Sequence, residues 1–233
     1  MCGLIGGVGR IPSPKQIETA MRRLKIRGPD AQVVDLNIDY WLGHTLLAIR
    51  KPPQTQPIYA REARIALVFN GELYDTAAPG ANDTAALLAR LVPVLHAADP
   101  LQQRPSLNGD FAFAAILHDG SGHWQRLLLG RDPAGVKPLY YCVTRDGFRF
   151  ASSIRALVCC EDAPPAIDRR AVAGLLRHGS IAQPRTIFDG IHAVMPGEWL
   201  LFEAPDFSPC RRTLPAAPPA PLVAGGLLRA AME

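Results

Sequence analysis

The sequence predicts an α+β domain in which short antiparallel strands are layered with separate helices. Two observations carry that prediction. Short runs rich in aromatic and aliphatic residues recur along the chain and are bounded by turn residues. Three amphipathic segments with recognisable caps stand apart from those runs.

In chain order, Cys2–Val8 reads as a short buried strand. Pro14–Leu24 reads as a helix, with Ser13 as N-cap and Pro14 at the first helical position, where its missing N–H costs nothing. Tyr40–Ile49 and Ile65–Phe69 read as strands. Asp83–Ala98 reads as a helix capped by Asn82 or Asp83, with Pro93 as a kink or early end. Phe111–His118 and Arg126–Leu129 read as strands, and the Asp119-Gly120-Ser121-Gly122 turn joins them as a hairpin. Leu139–Thr144 and Phe148–Ala151 complete the strand-like runs, and Asp168–His178 reads as a helix stopped by Gly179. After about Phe207 the composition shifts. Leu214–Pro221 is a Pro/Ala run that reads as a linker, followed by a short apolar stretch, Leu222–Glu233.

With 233 residues, 48% hydrophobic and 20% charged, the chain fits one large domain with a tail and can bury a sizeable core. The net charge of +4 is scattered, with basic runs no longer than pairs such as Arg22-Arg23. That distribution argues against a nucleic-acid-binding face. The five cysteines are odd in number and show no CxxC spacing, so neither a disulfide framework nor a zinc site is expected. MCGLIGGVGR has neither the basic nor the long apolar region of a signal peptide, and no apolar run reaches the ~18 residues of a membrane span. A cytoplasmic location is the expectation.

Cys2 admits two readings. It is a small apolar residue opening a buried strand, or, once Met1 is removed, a residue carrying a thiol and a free α-amine on one carbon. Such groups titrate ordinarily near ~8.5 and ~7.7–8.0, so a nucleophile and a base meet at neutral pH. Asn70-Gly71 follows an apolar strand. The pair is either a plain β-turn or a side-chain amide beside an exposed N–H, the two donors of an oxyanion hole. Asn82-Asp83-Thr84 opens a helix and is either its cap or a carboxylate for a ligand ammonium. Arg27-Gly28-Pro29-Asp30 and the stretch Arg131–Tyr141 read as structural turns with no chemistry of their own. The six histidines share no spacing, and GLIGGVG does not resolve into a dinucleotide fingerprint.

In order, MCGLIGG, RGPD, GHTLLAI, QPI, FNGELYD, NDTAAL, LNGDFAFAAI, LGRDPAGVKPLYY, FASSIRAL and RHGSIAQPRTIFDGIHAVMPGEWL resemble the class II glutamine amidotransferase domain in its asparagine synthetase branch. The resemblance covers roughly residues 2–202 and assigns 2–207 to that domain, with 208–233 as linker toward a synthetase domain. It implies an N-terminal-nucleophile fold, a four-layer αββα sandwich. It also implies that Cys2 attacks the side-chain amide of glutamine, that its α-amine is the base, and that Asn70 and Gly71 hold the oxyanion. Asp83 then binds the glutamine ammonium, with Glu72 lining the same pocket and Ile49 and Arg50 beside them. The released ammonia supplies ATP-dependent amide formation, as in asparagine biosynthesis, by a ligase domain or subunit.

One departure concerns the α-carboxylate of glutamine. Where the family carries an arginine in a His-x-Arg-Leu-Ser-Ile pattern, this chain has Leu46, and Arg50 lies on the same strand face four residues on. Ile26 and Ser153 replace the family's frequent His and Glu. No SGGxDS loop occurs, so ATP and magnesium are expected only on a partner or absent synthetase domain, and none in this chain. The alternative reading is an amidotransferase-fold scaffold with a vestigial pocket, docked on a lasso-peptide or β-lactam type cyclase that needs no glutamine. Neither reading involves nucleic acid or a membrane.

Overall fold

The apolar run after Cys2 forms the strand β1 (Gly3–Gly9), and Pro14–Leu24 forms α1 with the expected Ser13 cap. Ser13 and Gln16 cap each other reciprocally, a capping box. The computed structural model describes residues 1–49, 54–75 and 82–213. After a 3₁₀ turn at Lys25–Arg27 come β2 (Ala31–Leu36), β3 (Tyr40–Leu46), β4 (Ile58–Ala60), β5 (Ile65–Leu73) and α2 (Asp83–His96). Then follow β6 (Gly109–His118), β7 (Trp124–Arg131), β8 (Tyr140–Thr144), β9 (Gly147–Ala151), α3 (Ile154–Val158) and α4 (Arg169–His178). The last three elements are β10 (Ile191–Ala193), β11 (Glu198–Glu203) and β12 (Cys210–Thr213).

The strands make two six-stranded antiparallel sheets, ordered β10-β8-β9-β1-β3-β2 and β12-β11-β7-β6-β5-β4. Period-two alternation divides each strand between two cores. Leu4, Val8, Leu42, Val68, Ala114 and Leu129 meet between the sheets. Ile5, Trp41 and Ala151 face outward onto α1 and α3, while Leu67, Phe69 and Phe113 face outward onto α2. Helix, sheet, sheet, helix is the αββα sandwich that the resemblance implies.

Four differences from the sequence reading bear on the site or its limits. β3 ends at Leu46, three residues before the expected Ile49. β5 runs through Asn70-Gly71 to Leu73, because β6 pairs with it along its whole length, from Ile65↔Leu117 to Leu73↔Gly109. Pro93 does not end α2, whose Leu91, Val94 and Leu95 are buried on the sheet and hold the last turn. β12 pairs with β11, so the sheet continues past residue 207 into the segment read as linker. Leu214–Pro221 and Leu222–Glu233 lie outside the described residues, as does Arg50. No described helix is long and apolar enough to cross a membrane.

Candidate functional site

Cys2 immediately precedes β1, and its thiol lies 3.9 Å from the Leu47 carbonyl. The β1–β3 register pairs Leu4 with His44 and Gly3 with Thr45, so one further step sets Cys2 opposite Leu46. Alternation places Cys2, Leu4, His44 and Leu46 on the face that looks toward the second sheet. β1 and β3 pack there against β5.

On β5, Ala66 and Val68 belong to the inter-sheet core, so Asn70 and Glu72 face the same way. Asn70 is only 3% exposed, and its Nδ2 has no hydrogen-bond partner among the described residues. A buried unpartnered donor costs about 1–3 kcal/mol, and such a group in a folded protein requires an explanation. Gly71 lies in the ladder and not in a turn. A Cβ there would sit 2.2 Å from the Asp110 carbonyl oxygen, so glycine is needed for the close approach of β6.

The cap of α2 is Asn82, whose Oδ1 accepts from the Ala85 N–H at 3.1 Å. The capping duty therefore falls on Asn82 and leaves the Asp83 carboxylate, in the first turn and 8% exposed, for other bonds. Ile49 is 74% exposed beyond the end of β3. The chain turns there because the Asp30 carboxylate takes the Ala48 N–H at 2.7 Å and the Ile49 N–H donates to the Leu47 carbonyl. The strand expected to run through Ile49 ends at Leu46, and Arg50 lies outside the described residues.

Sequence reasoning missed the side chains that brace these groups. Arg27 Nε donates to the Cys2 carbonyl at 3.2 Å, and its Nη2 is buried without a partner among the described residues. Burial lowers the Arg27 pKa, opposed by Tyr140 and Cys2, so a guanidinium stands within electrostatic reach of the thiol. Asp30 holds the Leu46–Ala48 segment through the Ala48 bond and its own N–H to the Leu46 carbonyl. The fully buried Asp132 accepts from the Phe111, Val136 and Lys137 N–H groups, fixing the cross-strand partner of Gly71. Ser152 Oγ accepts the Leu4 N–H, two residues after Cys2.

His44 is 1% exposed and burial pushes its pKa down to about 4, so the imidazole is neutral at physiological pH. The Phe69 backbone lies close enough to oppose that shift, yet neither ring nitrogen makes a well-formed hydrogen bond among the described residues. The open groove lined by Leu95, His96, Arg126 and Glu203 lies toward the other end of the second sheet. Its arginine is occupied by the Leu95 and Ala97 carbonyls and by Glu203.

The profile of the glutamine amidotransferase domain family matches residues 1–212. Amidase chry2 of Gibberella zeae is 29% identical over 197 residues, which is 80% of this chain and 28% of that protein. A glutamine-hydrolysing asparagine synthetase of Arabidopsis thaliana is 30% identical over 67% of this chain and 28% of its own length. One from Bacillus subtilis is 27% identical over 84% and 33%. This chain thus spans about a third or less of the curated relatives it matches. The glutamine phosphoribosylpyrophosphate amidotransferase of B. subtilis aligns at a TM-score of 0.58 with 16% identity, over 91% of this chain and 49% of that one, which shows the shared fold.

Proposed function

Since the chain belongs to the glutamine amidotransferase family, we propose that it hydrolyses glutamine at Cys2 and passes the ammonia to an amide-forming synthetase of the asparagine synthetase kind. The observation that carries this reading is the buried Asn70 Nδ2, unpartnered among the described residues, on the β5 face that looks toward the sheet bearing Cys2. A site that no longer bound an oxyanion would keep that cost with nothing to offset it.

In this reading Met1 is removed and the Cys2 α-amine takes the thiol proton. The sulfur adds to the glutamine amide carbon, and the negative oxygen is held by Asn70 Nδ2 and the Gly71 N–H. The C–N bond breaks as the ammonium returns its proton to the leaving nitrogen, so ammonia departs and a thioester remains. Water attacks the thioester and releases glutamate, restoring the thiol. Base and nucleophile on one residue are fixed relative to each other before substrate arrives. Asp83 and Glu72 take the substrate ammonium, and the strap of Arg27 and Asp30 keeps Cys2 and the end of β3 in place.

Leu46 opposite Cys2 favours the second reading, a scaffold with a vestigial pocket that docks on a cyclase. Glutamate release from glutamine by the Met1-processed chain, with its synthetase partner present and beside Cys2→Ala, separates the two. Cys2-dependent release is the expected result, and its absence overturns the glutaminase reading. An intact mass showing retained Met1 overturns the proposed base.

A further inference from the structure

The edge of the second sheet changes character next to the candidate oxyanion donors. β4 is short, and its ladder with β5 stops at Ile58↔Leu67. Phe69 therefore lies beyond it on an edge that β4 no longer covers. There a side chain replaces the strand. Gln56 Oε1 accepts the Phe69 N–H at 2.6 Å, and Gln56 Nε2 donates to the Phe69 carbonyl at 3.0 Å. Gln56 is 5% exposed, and the same Nε2 lies 3.4 Å from Thr84 Oγ1, one residue after Asp83 at the start of α2.

Successive residues of a strand turn their N–H groups to opposite edges. The Gln56 bonds show that Phe69 points its N–H and C=O to the open edge. Gly71, two residues on, then points its N–H to that same edge and away from β6. The amide thus holds the peptide that precedes Asn70 on the edge where β4 no longer pairs, the same edge to which the Gly71 N–H points. Through Thr84 it also ties that strand to the helix turn carrying Asp83.

We infer that Gln56 is a positioning residue of the glutaminase site, aligning the Asn70–Gly71 oxyanion donors and docking them to the Asp83 turn. The inference rests on the function proposed above. The hydrogen bonds of Gln56 go to Phe69 and Thr84 rather than to Cys2. Its effect runs through Asn70 and Gly71, and displacing donors by about 1 Å is enough to cost on the order of 100-fold in rate.

The test is a double-mutant cycle between Gln56→Leu and Asn70→Ala in the full Met1-processed chain, each variant first checked by its thermal unfolding midpoint. Two quantities are read: kcat for glutamine, and the inhibition constant of L-glutamate γ-semialdehyde. That aldehyde adds the Cys2 thiol to give a tetrahedral adduct and so reports the oxyanion donors. Gln56→Leu alone is expected to lower kcat and weaken the aldehyde about 10- to 100-fold. In the Asn70→Ala background the same change is expected to cost several-fold less than in wild type, because one of the two donors it positions is already gone. Gln56→Glu keeps the acceptor for the Phe69 N–H and loses the donor. It is expected to fall between wild type and Gln56→Leu, and it replaces the latter in the cycle if Gln56→Leu does not fold. Full additivity of the two losses, or a Gln56 effect under twofold on both readouts, overturns the inference while leaving the glutaminase reading intact. Absence of Cys2-dependent activity in the wild type overturns that reading and the inference with it.

Discussion

On one flank of Cys2, β5 presents a buried amide donor, braced by Gln56 at its edge and by the Asp132 turn behind Phe111. On the other, β3 ends at Leu46, and the chain turns away through Ala48 to an exposed Ile49. In the reaction proposed above, the first flank serves the reacting carbonyl and the second serves the far end of the substrate. Charge that develops only in the transition state needs donors fixed in advance, because reorganising them at the moment of reaction costs rate. A substrate's distant carboxylate carries the same charge throughout, so weakening its grip changes binding more than chemistry. The asymmetry predicts a domain whose catalytic step is intact and whose hold on free glutamine is loose.

The largest effects belong to the chemical flank. Cys2→Ala is expected to lower glutamate release by at least about 10⁴-fold, as removal of a covalent nucleophile does. Asn70→Ala is expected to lower kcat by about 10²–10³-fold with a small change in KM, the signature of an interaction made in the transition state. A raised KM at constant kcat would instead place Asn70 on the substrate's tail and break the distinction between the flanks. Both variants are checked by steady-state glutaminase kinetics.

How far the sequence reveals each flank follows from the same contrast. Cys2, Asn70, Gly71 and Asp83 stand out because each is a reactive or donor residue type next to a strand or helix start. Arg27, Asp30, Gln56 and Asp132 are invisible as functional residues, because they act through bonds to partners between 4 and 28 residues away. Asn-Gly reads locally as a turn and becomes strand only because β6 supplies a partner for every residue of β5. β2 and β11, with the sequences Ala31–Leu36 and Glu198–Glu203, escape notice for a related reason. They are six-residue runs, β2 flanked by Asp30 and Asn37 and β11 beginning and ending on Glu198 and Glu203, and both are stabilised by their neighbours in the sheets.

A smaller effect comes from His44, which lies between the flanks. Its folded pKa of about 4 lies below the ordinary 6.5, so between those values the unfolded chain binds the extra proton. The contribution is present in full above about pH 6.5 and is lost as pH falls toward 4. It amounts to something on the order of 3 kcal/mol. Denaturant titrations at pH 7 and pH 4.5 are expected to show a steeper loss in wild type than in His44→Gln. Equal losses in the two proteins would mean that His44 is solvated or paired in the folded state.

The smallest effect, and the sharpest for the comparison, is Leu46→Arg. A guanidinium at that position stands opposite Cys2 by the β1–β3 register, where it can pair bidentately with a substrate carboxylate. A charge-assisted bond of that kind contributes about 1.5–3 kcal/mol, so KM for glutamine is expected to fall by at least about tenfold. The carboxylate interacts alike in ground and transition states, so kcat is expected to stay within about twofold. The control is L-glutaminamide, which lacks the carboxylate and whose KM is expected not to improve. An unchanged KM for glutamine would show that the carboxylate is already held by another cation. Arg50→Ala then decides whether that cation is Arg50, by raising KM if it is. A fall in KM confined to glutamine establishes that the two flanks of Cys2 are separable, one setting rate and the other setting which amide is held.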